Sequence, residues 1–434
     1  MIDVGIINGL VYINQEFHKL NVYISGEKIV ALTQDVLAAK KVIDVRGKYV
    51  LPGFIDPHVH FALGVGTNIS KDDFQAGAIE AVYGGVTTYI DFLDPIHKIS
   101  EIKGAFKTRQ ALAEKSIADY AFHLTVANPT SPAKEIIETA KAYGINSVKL
   151  FTTYSETDRR TFDGTIYELL QESGKQKAII LIHAENDELI NKAKDILVKD
   201  HEKARPTLAE NIEVVKLAQM ARKTGGNLYI VHVSAGSTVA LLRKVFQKEL
   251  KNHQIILESC PHYFLLNSTC LDWKDGYKYT MTPPLREEEE RKLLSCYIDE
   301  ITTIGTDHCP YTKRQKAHAY TSEIPMGIGG IRYAFLNMYN AYGFKVIDKF
   351  TRGPAKVYGL QQKGALLPGF DGDIVIFDAA GETFVNDAMS VYDKKHLKGC
   401  IETVLIRGSV VLEKGSLKTH QGMYIRRGEA NDRY

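Results

Sequence analysis

The chain lacks the features that would assign it to a special environment. Only five of its 434 residues are cysteines (Cys260, Cys270, Cys296, Cys309 and Cys400), and no two are spaced as C-x-x-C. An odd, scattered set of this kind excludes a disulfide framework and fits a reducing compartment. Charge of one sign is also missing: 54 basic against 52 acidic side chains leave a net charge of +2. Nothing in that balance marks nucleic acid or an anionic membrane as a partner. No apolar run is long enough to cross a bilayer. The opening MIDVGIINGLVYI has neither a basic leader nor a small-residue cleavage site. These absences lead us to expect a cytoplasmic protein with no nucleic-acid and no membrane partner. No G-x-G-x-x-G follows an early strand, which argues against an open dinucleotide-binding sheet. No helix of any strength is expected before residue 70.

What is present divides by texture. Residues 1–50 alternate short β-rich runs with Asn-Gly or Gly-Glu-Lys turns, and about 364–425 repeats that pattern in ALLPGFDGDIVIFD and IETVLIRGSVVLEKG. We expect the two ends, 1–50 and 362–434, to share one β-sandwich, with a charged, loose tail over 426–434. The middle, 51–361, alternates apolar β-rich runs with helix-like stretches. The runs are 50–60, 86–93, 120–127, 147–152, 178–184, 228–234, 255–260 and 302–307. Eight such runs over this length predict an α/β fold, a parallel (β/α)8 TIM barrel. The long stretch 185–222 is expected to hold two helices, or a helix and a loop around Ala204-Arg205-Pro206.

The first of these runs ends in Asp56-Pro57-His58-Val59-His60. Alternation along a strand puts His58 and His60 on one face, where two imidazoles can hold a metal ion. An isolated H-x-H more often means two satisfied histidines. Here the other strand ends add Lys149, His183, His232 and Asp307. In a barrel, such ends meet over one mouth. Lys149 within an apolar strand is costly unless it is paired or neutral. A salt bridge would explain it. So would a neutral amine that takes up carbon dioxide, giving a carbamate able to bridge two metals. His262, at the end of the seventh run, is a candidate substrate contact. His308 and Cys309 are expected to be structural, and His123 to be a satisfied core histidine. The run EEEER at 287–291 reads as a solvated helix start.

The motifs HVH after LPGFID, VKLF, HAEN, HVS and GTDHCP, in this order, resemble the cyclic-amide branch of the amidohydrolase superfamily. The likeness is strongest to hydantoinases and dihydropyrimidinases, with allantoinases and dihydroorotases as cousins. It covers nearly the whole chain. It implies the barrel, the terminal β-sandwich and two divalent metal ions of zinc type. It assigns His58, His60 and Asp307 to one metal, His183 and His232 to the other, and N6-carboxylated Lys149 as the bridge. It makes Asp307 and Tyr154 catalytic, through proton transfer and oxyanion stabilisation, and sets Tyr154 and Thr282 against the ring. The implied reaction is hydrolysis of a small cyclic amide to an N-carbamoyl amino acid by a metal-bridging hydroxide. The relatives' habit implies a homo-oligomer, a tetramer or dimer. Two departures concern the substrate. CPHY, with His262, is closer to allantoinases and dihydroorotases. The loop IPMGIGGIRY departs from hydantoinases at Met326, Gly329 and Arg332, which makes Met326 a further candidate ring contact. Against dihydroorotate, Ala62 stands where dihydroorotases typically carry an arginine. A metal-holding scaffold without catalysis and a mononuclear deaminase are the competing readings; the intact ligand set disfavours the first and Lys149 the second.

Overall fold

The computed structural model describes residues 1–429. Eight strands form the barrel, β1 (Phe54–Asp56), β2 (Val86–Phe92), β3 (Asp119–Thr125), β4 (Ser147–Phe151), β5 (Ile179–His183), β6 (Leu228–Ile230), β7 (Ile255–Ser259) and β8 (Thr303–Ile304). All pair in parallel with their sequence neighbours. Between β8 and β1 the ring closes through side chain and backbone. Buried Asp56 accepts from the Thr306 amide at 3.1 Å and from its hydroxyl at 2.6 Å, and His60 N–H donates to His308 O at 2.9 Å.

Strand alternation decides what lies inside. Ile90, Phe92, Ala121, Ile179, Leu181, Tyr229 and Ile256 form an interior cluster, floored by Val357 and Tyr358. The intervening residues, such as Ile180 and Ile182, pack outwards in the large cluster shared with the helices. Helices follow the strands as the periodicity predicts. One example is Phe74–Tyr83, whose cap Asp73 accepts from the amides of Gln75 and Ala76 at 3.0 and 2.8 Å. Residues 185–222 hold a short helix, His201–Ala204, and a long one, Thr207–Thr224, divided at Arg205-Pro206. Among the described residues no helix is long and apolar enough to cross a membrane.

Both chain ends build one nine-stranded sheet. Its seam is Tyr49–Pro52, which pairs parallel with Ile2–Ile13 and antiparallel with Ile374–Phe384. The run 50–60 is therefore two strands rather than one. Gly53 makes the break: a Cβ there would lie 2.3 Å from Thr87 Oγ1, so the chain passes only without a side chain. The tail is tied down at its start. Arg427 is buried and donates to Phe122 O and Ser147 Oγ, whereas the remainder of the tail, 430–434, lies outside the described residues. Sheet and barrel are joined by Lys363, whose amine meets Asp119, Asp373 and Asp371 at 2.8, 2.7 and 3.0 Å. Arg407 adds a second cation beside Asp119 at 3.2 Å, so this acidic trio is already neutralised.

Burial opposes the charge on Lys363, but the three carboxylates outweigh it and hold the amine well above the ordinary lysine value. Its contribution to stability is complete below the unfolded lysine pKa of ~10.4 and fades as pH rises through the higher folded value. Lys363→Met should cost about 3–5 kcal/mol at neutral pH, because it strands buried carboxylates. Urea midpoints of variant and parent check this; equal midpoints would refute it.

Candidate metal centre and active site

Register alone places the lysine. Lys149 pairs with Leu181, and Leu181 faces the barrel interior, so Lys149 points inwards too. His183, two residues beyond Leu181, follows the same face, as Glu258 follows Ile256. At His232 alternation with Ile230 would point the ring outwards. The backbone there is left-handed, with φ 41°, and it turns the ring in. Asp307 (φ 51°) and Tyr154 (φ 69°) share that conformation. For residues with a side chain it costs about 1–3 kcal/mol each, a strain that gathers at functional sites.

The six residues fall into two groups with Lys149 among them. His58 Nε2 and His60 Nε2 lie 3.3 and 3.1 Å from Asp307 Oδ1, and all three ligand atoms are within 4.8 Å of one another. Opposite, His183 Nδ1 and His232 Nε2 are 3.1 Å apart. The second ring nitrogens fix the tautomers. His58 Nδ1 donates to Glu258 at 2.7 Å and His183 Nε2 to Glu185 at 2.6 Å. A lone pair is thereby left on the inward nitrogen of each ring. His60 Nδ1 and His232 Nδ1 are buried without a hydrogen-bond partner. Imidazole lone pairs, one carboxylate and two like-facing rings make a donor set that fits divalent metal ions.

Lys149 is buried, lying 5.3 and 5.8 Å from the rings of Phe151 and Phe92, and its amine makes no hydrogen bond or salt bridge among the described residues. Desolvation pulls its pKa down to about 7, against the opposing charges of Asp307 and Glu258. Burial would raise the Asp307 carboxyl, yet in the absence of metal the protonated rings of His58 and His60, the latter also through its hydrogen bond, hold it well below the carboxylate range.

Above this cluster the Tyr154 hydroxyl meets Thr282 Oγ1 at 2.8 Å. Together with Met326 they line a side cavity of about 230 Å³. His262 is buried within reach of the Asp307 charge, its Nε2 without a hydrogen-bond partner among the described residues, and it does not line that cavity. His308 is held by Asp72 at 3.0 Å and by the amides of Gly330 and Ile331, and Cys309 donates to the Tyr311 hydroxyl. His123 bonds Ser147 and Pro57 O at 2.6 and 2.9 Å.

Sequence reading missed the carboxylates behind the ligands. Glu258 accepts from His58, from the Tyr229 hydroxyl at 2.7 Å and from the His232 amide at 3.1 Å. Glu185 carries His183 and a two-point pair with Arg205 at 3.1 and 2.6 Å, and Arg205 lies over the Tyr154 ring at 5.4 Å. The available signal was a glutamate in the apolar run IILES. Glu258→Gln should weaken metal affinity about 10–100-fold while leaving the fold intact. Equilibrium metal titration with circular dichroism tests this, and unchanged affinity would count against it.

The sequence profile described as the amidohydrolase family matches residues 49–411. The chain is 29% identical to a D-hydantoinase of Geobacillus stearothermophilus over 97% of this chain and 96% of that one. It is 30% identical to a D-phenylhydantoinase of Escherichia coli (strain SE11), with 89% of each covered. Among solved structures, dihydropyrimidinase from Brevibacillus agri NCHU1002 superposes with a TM-score of 0.92 at 28% identity, covering 99% of both chains.

Proposed function

Because the chain belongs to the amidohydrolase family, we propose that it hydrolyses a ring C–N bond of a small cyclic amide or ureide of hydantoin or dihydropyrimidine type. The product is an N-carbamoyl amino acid. One observation carries the reading: His58, His60, Lys149, His183, His232 and Asp307 leave five different strand ends and converge in one buried cluster. On this reading His58, His60 and Asp307 would hold one ion and His183 and His232 a second, with N6-carboxylated Lys149 as the ligand common to both. Zinc suits so nitrogen-rich a set. Two such ions supply a lowered water pKa and a polarised carbonyl.

The protein's own groups do the rest. The Tyr154 hydroxyl, now engaged by Thr282, donates to the carbonyl oxygen as negative charge develops on it. Ionised Asp307 accepts the proton of the attacking water at a carboxylate oxygen and delivers it to the departing ring nitrogen. Thr282 and Met326 border the ring and orient it, and His262 contributes from behind as a substrate-side group. Tyr154→Phe should lower kcat about 100-fold with metal content unchanged. Steady-state kinetics with metal analysis check this; an unchanged kcat removes Tyr154 from the reaction.

A second reading is an allantoinase-like or dihydroorotase-like hydrolase of the same fold. The side cavity favours the allantoinase-like form, since Asn191 and Thr321 line it together with Tyr154, while Lys192 is engaged by Asp187 and Ser322 by Lys194 O. Dihydroorotate lacks such support, because Ala62 supplies no cation for its carboxylate. A hydrolysis panel on the metal-loaded protein separates these: dihydrouracil, hydantoin, 5-substituted hydantoins, allantoin and dihydroorotate. Opening of at least one ring is expected, and inertness towards all five rejects the proposed chemistry. The same proposal takes the protein as a cytoplasmic homo-oligomer, dimer or tetramer, which sedimentation would test.

A further inference from the structure

At the end of the barrel opposite the metal cluster lies a cavity of about 680 Å³. Its walls include Ile301 and Thr302, just ahead of β8, and His253, just ahead of β7. One side is a ladder of cations, Lys345, Lys349, Arg352 and Lys356. They come from three consecutive short helical segments, Gly343–Val346, Ile347–Phe350 and Arg352–Val357, and all four line the cavity.

The acids available do not balance this ladder. Asp348 is engaged by the Tyr12 hydroxyl and the Gln15 amide at 3.1 and 3.0 Å. Asp299 is the other carboxylate lining the cavity. Among the described residues, Lys345, Lys349 and Arg352 make no salt bridge. Lys349 donates to Ile301 O, and the Arg352 guanidinium makes no hydrogen bond among the described residues. Burial, followed for Lys356 by the charge of Arg352, brings Lys349 and Lys356 down to about 8. The lining also carries aromatic rings, with Phe17 in tilted contact with Tyr12 at 5.4 Å and in edge contact with Phe344 at 4.8 Å.

We propose that this cavity is a binding site for a small phosphate-bearing anion, with the phosphates held by Lys345, Lys349, Arg352 and Lys356. Two sources share that chemistry, free pyrophosphate and a nucleotide diphosphate whose flat base meets the aromatic wall. The site is independent of the hydrolytic mouth, which lies at the other end of the strands.

Calorimetric titration of the metal-loaded full chain with inorganic pyrophosphate and with ADP tests the proposal. Binding of at least one is expected, with ADP tighter if the aromatic wall takes part. In Lys345→Gln/Arg352→Gln affinity should fall about tenfold or more, while ring hydrolysis is unchanged. Pyrophosphate can also reach the catalytic metals. Undiminished affinity in the double variant would place it there and overturn the proposal, as would no binding of either probe up to about 10 mM. Should the double variant not fold, the exposed single change Lys345→Gln serves the same comparison.

Discussion

Lys149→Ala should lose most of its activity and part of its metal. Metal content is expected to fall from about two ions per chain to one or fewer. kcat should drop about a thousandfold or more, equivalent to roughly 4 kcal/mol of barrel-mouth stabilisation of the transition state. The argument rests on where the amine sits. It is buried near two aromatic rings, with no hydrogen-bond or salt-bridge partner among the described residues, and desolvation lowers its pKa to about 7. Only the neutral amine can attack carbon dioxide, forming an N–C bond and releasing a proton. Since the pKa is lowered, the neutral form accumulates as pH rises through 7. Reconstitution with metal at a fixed concentration of dissolved carbon dioxide should therefore be faster at pH 8, where most of the amine is neutral, than at pH 6, where most is protonated. Metal analysis and recovery of activity give two separate readouts. Unchanged metal content and rate in the alanine variant would dispose of the bridging role.

Asp307→Asn is expected to lower kcat about 100- to 10,000-fold, the usual range for loss of a positioned proton carrier. An amide keeps the shape but neither the charge nor the basicity. The neighbouring imidazoles hold the carboxyl well below its ordinary range, so it is ionised throughout neutral pH and ready to accept a proton. The same depression has a sign for stability: its contribution is present above the unfolded carboxylate pKa of ~3.9 and is lost as pH falls through the lower folded value. Pre-steady-state kinetics at matched metal occupancy separate proton transfer from weakened binding of the His58–His60 ion. A variant with full metal and parental kcat would exclude Asp307 as the carrier.

The barrel was legible because its strands are unbroken apolar runs and its site residues are the polar ends of those runs. Lys149 stood out for the same reason, being the one cation in SVKLF. Other features depend on backbone dihedrals or distant partners, which pattern does not encode. Alternation predicts His232 facing outwards, and only a left-handed residue turns it in. The break at Gly53 follows from Thr87, 34 positions away, and so is invisible within VLPGFID. Glu258 and Glu185 were overlooked because a single acid in a strand reads as an exception until its histidine is known. Arg427, in a charged tail, gives no local hint that it is buried against Phe122 O and Ser147.

The sheet shared by both ends also sets a timetable for synthesis. Tyr49–Pro52 finds its antiparallel partner only when Ile374–Phe384 has emerged, about 320 residues later. At 5–20 residues per second that delay is roughly 16–64 s. Throughout it, one edge of an apolar strand on the nascent chain lies open to any other strand it meets. Slower translation lengthens the exposure and a chaperone shortens its effect, so soluble yield should respond to both even though neither touches the finished fold.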